Sequence, residues 1–240
     1  TNRRSSTPAD PPRADGYVTD REVLLNNTLF IQWALNTLWV AIASTTISLF
    51  AGILAGYSLS RFVFPGSTIF SISIFVTYLV PPTLLFIPLT GVVSWMGMQD
   101  TTWSLIFTYP TFLVPFCTWL LMGYFQTIPK ELEECARIDG ASRIQAMIWI
   151  ILPLAVPGIL SAGIFAFTLS WNEFLYALVF IHSPENKTVP VGVTSELIKG
   201  DVFFWGSLMA GALLGSVPVA VVYSFFVEYY VSGITGAVKG

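Results

Sequence analysis

From residue 29 to residue 59 the chain carries no charged side chain. As a helix the run is about 46 Å long, more than the roughly 30 Å hydrocarbon core of a bilayer, so it must tilt or project. Four more apolar stretches follow, at 69–93, 101–128, 154–181 and 202–227. Charged residues make up only 10% of the chain and mean hydropathy is +0.71, against roughly 25% charged in a soluble domain. The fold expected is all-α: a polytopic transmembrane helical bundle of five spans. A net charge of −3 says little about partners, because placement matters more than the sum. Cys117 and Cys135 fall in a span and in a polar segment, a poor pairing for a disulfide, and with one histidine they make no zinc site of recognisable spacing. Residues 1–27 are polar, rich in Pro, Asp and Arg, and lack an apolar core of signal-peptide type; they read as an extended, water-exposed segment.

Between the third and fourth stretches lies a polar island, ELEECARIDGASRIQAMIWIILP. Burying its charges (Glu131, Glu133, Glu134, Arg137, Asp139 and Arg143) in lipid is expensive, so it belongs in water or against another protein. Pro129 suits the first position of a helix, and the three glutamates then sit near the positive end of the helix dipole. Ile128, Leu132, Cys135 and Ala136 recur at spacings of three and four, which predicts one apolar face. Gly140 stops the helix, and Ser142 with Gln145 has the spacing of a capping box that starts another. A short helix, a glycine bend and a second helix rising into the membrane could fit a groove on a partner and transmit its movement to the spans.

Other features attach to the spans. Gly52 and Gly56 have the GxxxG spacing that allows close helix contact. Pro81, Pro82 and Pro88 should kink or interrupt the second span, and broken helices in transporters often line the pathway. Trp103, Tyr109, Trp119 and Tyr124 mark the third span, where those near its ends suit the interfacial belts. Glu173, in the run Trp171-Asn172-Glu173, is the most conspicuous ionisable residue in any span. It either faces a cavity or is a carboxylate solvated or capped near the outer surface. Residues 182–201 are polar and read as a loop.

The pattern Glu134-Cys135-Ala136, three residues, Gly140, nine residues, Ile150, one residue, Leu152-Pro153 resembles the EAA loop of the membrane-spanning subunits of bacterial binding-protein-dependent ABC importers. The one departure is Cys135 where that family usually has alanine, a mild change because buried cysteine behaves as a small apolar residue. ARIDGAS and WNEFLYAL are most similar to the carbohydrate branch, the maltose and glycerol-phosphate type. The resemblance implies an ABC importer transmembrane domain over 28–240, with 1–27 an extracytoplasmic segment and coupling helices in an EAA loop at about 129–153. It implies that Glu131, Glu134, Cys135, Ala136, Asp139 and Gly140 dock into a cleft on an ATPase subunit. It also favours Asn172 and Glu173, in the run with Trp171, as residues lining the pathway, beside Pro81 and Pro82, which the broken-helix argument places there. The implied partners are a second, related but different permease, a pair of P-loop ATPases, a substrate-binding protein that meets the outer loop, and the lipid bilayer of the bacterial inner membrane, with no nucleic acid. Six spans are usual in that branch, so the first is expected to be missing from this chain.

If the island is cytoplasmic, so are Arg61, Lys130, Arg137, Arg143 and Lys239, and the short loops obey the positive-inside rule; Arg3, Arg4, Arg13 and Arg21 do not. The chain has no GxxxxGK[ST] phosphate loop, no nucleophile–base pair and no metal cluster. It therefore reads as a subunit that is not an enzyme and carries no cofactor, with ATP and Mg on the partner ATPase. The alternatives are an importer for a non-sugar solute, an ion-coupled carrier with Glu173 as its charge, or a structural or signalling subunit.

Overall fold

A computed structural model describes residues 28–62, 64–199, 202–203 and 205–238; the segment read as extracytoplasmic, 1–27, lies outside them. Eleven α-helices follow in order: α1 (Phe30–Arg61), α2 (Ser67–Leu79), α3 (Pro82–Trp95), α4 (Thr102–Thr108), α5 (Pro110–Thr127), α6 (Glu131–Ile138), α7 (Arg143–Ala146), α8 (Leu152–Trp171), α9 (Leu175–Phe180), α10 (Val189–Leu197) and α11 (Trp205–Val238). A π-turn, Met147–Ile151, joins α7 to α8, and an antiparallel pair, Ile198–Lys199 with Val202–Phe203, precedes α11. Four helical stretches are long and apolar enough to cross a membrane, or five if the bent α2–α3 pair is one span.

The bundle is organised for lipid. The inward stripe of α1 is small and polar: Thr37, Val40, Ser44, Ser48, Gly52 and Gly56 are buried, while Ile31, Leu35, Trp39 and Phe50 are exposed. Lipid is as apolar as leucine, so spans associate through close packing and hydrogen bonds rather than by hiding large apolar side chains. Helix α1 packs most extensively on α5, then on α8; α8 also meets α5 and α11. A Cβ at Gly52 would stand 2.6 Å from Cys117 Cβ, and one at Gly56 would stand 3.0 Å from the Met122 backbone nitrogen. Ser44 and Ser170 join α1 to α8 through a hydroxyl pair at 2.9 Å.

The structure revises several sequence expectations. The second span is interrupted rather than merely kinked, an outcome its prolines allow: α2 and α3 meet at 94° across Val80–Pro81. Tyr109, part-way along the third span, is fully buried. The fourth span runs Arg143–Trp171 rather than 154–181. Pro153 has no N–H to give, and the helix passes it by widening into the π-turn, in which Leu152 N–H reaches Met147 O. The fifth span begins at Trp205, because Ile198–Lys199 and Val202–Phe203 pair as strands before it. The segment read as a polar loop contains a helix: Val189, Val191, Val193 and Leu197 of α10 are buried, several of them with Phe30 and Trp33 of α1.

The outer connections are fastened by Asp100, which has a φ of 58° in the turn between α3 and α4. Its carboxylate accepts from the N–H groups of His182 and Ser183, each at 2.8 Å, and from the Ser183 hydroxyl. Its carbonyl accepts from Asn186 Nδ2 at 2.6 Å. These donors, the Ser183 hydroxyl first, hold the Asp100 carboxyl below the usual carboxylate range.

Two predictions follow from this packing. Gly52→Leu overpacks the α1–α5 seam, by about 1–3 kcal/mol, and should lower the melting temperature in detergent. Gly123→Ala, whose new methyl meets nothing within 4 Å, should not; equal melting of the two would remove the seam as a close contact. For Asp100 the folded-state pKa is depressed, so its contribution is complete above about pH 4 and declines as pH falls below that. Amide exchange at His182 and Ser183, corrected for intrinsic rate, should quicken below that pH and in Asp100→Ala at pH 7. Exchange that ignores both changes would show that Asp100 does not hold the loop.

Candidate functional site

The polar island forms as a helix–bend–helix. Helix α6 starts at Glu131 with Lys130 as its N-cap, so Pro129 lies just before the helix rather than at its first position. Glu131, Glu133 and Glu134 occupy the first turn, where the helix dipole favours negative charge. At the other end Ala141 N–H reaches Ala136 O at 3.0 Å and Gly140 N–H reaches Arg137 O at 3.2 Å, the two bonds of a Schellman stop. Gly140 has a φ of 93°, and a Cβ there would meet nothing within 4 Å. Glycine is required by conformation, not by space. Ser142 and Gln145 then exchange the capping-box bonds, Gln145 Oε1 accepting from Ser142 N–H at 2.8 Å and Ser142 Oγ from Gln145 N–H at 3.3 Å.

The inward face of α6 differs from the expected apolar stripe. Glu133 and Ala136 are its buried residues, while Leu132 and Cys135 are exposed. Tyr57 OH, on α1, donates to Glu133 Oε1 at 2.8 Å, and Arg61 Nε lies 3.8 Å from Glu133 Oε2. Arg61 Nη2 also donates to Ile128 O at 2.9 Å, and Arg143 lies over the Phe62 ring at 5.1 Å. Glu133, Tyr57 and Arg61 were not among the sequence-derived site residues. The signal was present: Tyr57 and Arg61 stand four apart on one helix face, and Glu133 stands three before Ala136.

Of the residues expected to dock on an ATPase, Glu131, Glu134, Cys135, Asp139 and Gly140 are exposed; Ala136 is buried within the chain. Asp139, Gly140, Gln145 and Trp149 border an open groove of about 560 Å³. Beside it Ile138 and Trp149 are 84% and 77% exposed, and Ile144 is exposed too. Large apolar side chains beside this many charges make a surface suited to a protein partner.

The second set of residues is brought together only in part. Glu173 Oε1 accepts from Tyr176 N–H at 2.9 Å, and Oε2 accepts from Ala177 N–H at 3.2 Å and from Tyr109 OH at 2.9 Å. Glu173 thus caps α9 just after α8 ends. Tyr176 OH donates to Pro82 O at 2.9 Å, linking this cap to the α2–α3 break. Pro81 and Pro82 are themselves exposed. Asn172 is exposed, with Nδ2 bonded to Thr168 O at 2.9 Å. Trp171 stands apart: it is buried, and its Nε1 donates to Gly215 O of α11 at 3.0 Å.

Comparison with known proteins agrees with this architecture. Residues 48–236 match the family described as binding-protein-dependent transport system inner membrane component. The inner membrane ABC transporter permease protein YcjP of Escherichia coli is 36% identical over 212 residues, 88% of this chain and 75% of that protein. The trehalose/maltose transport system permease protein MalG of Thermococcus litoralis is 35% identical over 221 residues, 91% of this chain and 79% of that protein. In fold, the chain is similar to a subunit of a solved bacterial ABC transporter involved in import of the acidic polysaccharide alginate, with a TM-score of 0.72 at 21% identity, covering 88% of this chain and 79% of that one. With the island, its glycine stop and the membrane bundle in place, the chain belongs to the binding-protein-dependent transport system inner membrane components, and is a non-catalytic permease subunit of an ABC importer.

Proposed function

We propose that this permease forms part of the translocation pathway for a sugar or sugar derivative and is driven by a separate ATPase docked on its polar island. The observation that carries the reading is the split character of that island. Its inner side is anchored through Glu133, while its outer side presents Glu131, Glu134 and Asp139 beside exposed Ile138 and Trp149. Charged residues rimming apolar ones favour a specific protein interface. Glu134 serves as acceptor and salt-bridge partner in the ATPase cleft, and Gly140 sets the bend that aims α7 and α8 upward. ATP and Mg sit on a pair of P-loop ATPases, whose closure moves α6 and turns the spans towards the outward-open state. A second, related permease completes the pathway, and an extracytoplasmic binding protein delivers the cargo near the outer segment at 182–188. The trehalose/maltose relative supports a carbohydrate as that cargo.

Gly140→Leu forces a β-carbon into a left-handed conformation, at about 1–2 kcal/mol, and re-aims the bend. Uptake should fall about tenfold, the effect of roughly 1.4 kcal/mol, while the chain still reaches the membrane. Normal uptake by this variant would sink the coupling role. Purification in mild detergent should bring down a P-loop ATPase and a second permease, both reduced by Glu134→Ala. Uptake of radiolabelled mono- and disaccharides, with and without the gene, tests the cargo; loss of a non-sugar solute instead would move the chain to another branch.

A further inference from the structure

Helix α1 differs from the other spanning helices among the described residues. It has 32 residues and no proline, whereas α5 contains Pro115, α8 Pro157 and α11 Pro218, and α2–α3 is broken at Pro81–Pro82. Sharp kinks need a cause such as proline, a Gly/Ser pair or an inserted turn; α1 has no proline or inserted turn, its Gly52 and Gly56 are packed on α5, and the helix runs unbroken from Phe30 to Arg61.

Polar side chains leave α1 at its two ends to hold other segments. At the inner end Tyr57 and Arg61 hold Glu133 of α6. At the outer end Trp33 Nε1 donates to Pro184 O at 2.7 Å. Asn36 Nδ2 donates to Glu185 O at 2.7 Å and to Lys187 O at 3.1 Å, and Thr37 Oγ1 accepts from Val189 N–H at 2.8 Å. About 31 Å of continuous helix separates Asn36 from Tyr57, at 1.5 Å per residue.

We infer that α1 is a rigid rod carrying movement between the ATPase-facing helix α6 and the outer segment 182–188, with Tyr57 and Glu133 as the positioning residues at one end and Asn36 at the other. The inference rests on the function proposed above. Its physical ground is that α6 is only eight residues long, so what holds it decides where it goes. It cannot leave α1 without parting the Glu133 carboxylate from the Arg61 guanidinium and leaving that buried charge unpaired. Nor can α1 shift along its axis while the outer carbonyls stay bonded to Trp33 and Asn36. A load applied at either end therefore reaches the other. Coupling between binding sites is reciprocal, so docking outside should alter ATP hydrolysis inside.

The test uses the assembled transporter in lipid nanodiscs, with its binding protein purified with native cargo. Basal ATP hydrolysis and its stimulation by saturating binding protein are measured for each variant. Tyr57→Phe, which keeps the ring and loses only the hydroxyl, should cut stimulation about fivefold, the lower end of usual coupling strengths, with basal hydrolysis little changed. Glu133→Ala should do the same, and Glu133→Gln, which keeps an acceptor for Tyr57, should recover most of it. Asn36→Ala should cut stimulation by a similar factor from the other end. The double variant Tyr57→Phe with Asn36→Ala should be no worse than the poorer single one, because one rod cut twice is still one rod. Full stimulation in Tyr57→Phe, or two losses that multiply, overturns the rod and leaves the importer reading intact. Failure of the unaltered chain to assemble with any ATPase overturns both.

Discussion

The contact between α1 and α5 at Gly52 and Gly56 is the constraint on which the rest of the bundle depends. In lipid no hydrophobic force draws two helices together, so contact must be gained from dispersion at short range and from hydrogen bonds. The two glycines allow backbone-level approach to Cys117, Thr118 and Met122. Once α1 is seated there, its next faces are fixed: Ser44 meets Ser170 on α8, and Tyr57 is set against Phe125 and Glu133. Large apolar residues are left outside, as the exposure of Phe50, Ile69 and Leu213 shows. This outward display is normal against acyl chains and would be a liability in water.

A second constraint is that a backbone in hydrocarbon must satisfy its polar groups within the protein. This chain breaks its helices repeatedly, and polar side chains at and between its spans bond across the breaks. Tyr176 donates to the carbonyl of Pro82 at the 94° bend. Glu173 supplies the acceptor that the first N–H groups of α9 lack, and Tyr109 in turn bonds to Glu173. Of the two readings open for Glu173, this is the capped carboxylate. A carboxylate already engaged by three donors is poorly placed to serve as the free binding charge of an ion-coupled carrier. The same economy explains the π-turn before Pro153: the missing N–H is absorbed by a wider loop of helix, and the span continues.

Much of this was legible in the sequence. The apolar runs match the four or five candidate spans, five when the bent α2–α3 pair is counted as one, and the Gly140 stop and the Ser142–Gln145 box formed as read. These signals are local: each depends on a few adjacent residues and on backbone geometry that nothing distant overrides. The misses are of another kind. Hydropathy measures apolar length but not where a helix starts in phase, so it sets the fourth span too late and does not reveal the helix at Val189–Leu197. Three prolines show that the second span must break but not by what angle, because its surroundings, among them Tyr176 bonded to Pro82 O, come from elements far along the chain. The inward face of α6 was misassigned because apolar spacing was counted and Glu133 was treated as one of three equivalent glutamates. Its partner is remote in sequence, on α1.

That misassignment bears on how such a loop can work. A coupling helix held inward by apolar packing alone could slide along its support, because dispersion contacts are individually weak and non-directional. A carboxylate bonded to Tyr57 OH at 2.8 Å and lying beside Arg61 has one good position. Glu133 is buried against Tyr57 and Arg61 while Glu134 is exposed, so the two adjacent glutamates are not interchangeable. One fixes the helix to its support and the other stands in the open. The direction of each side chain follows from the 100° turn between successive helical residues, which sets the anchored glutamate and the exposed one on different faces.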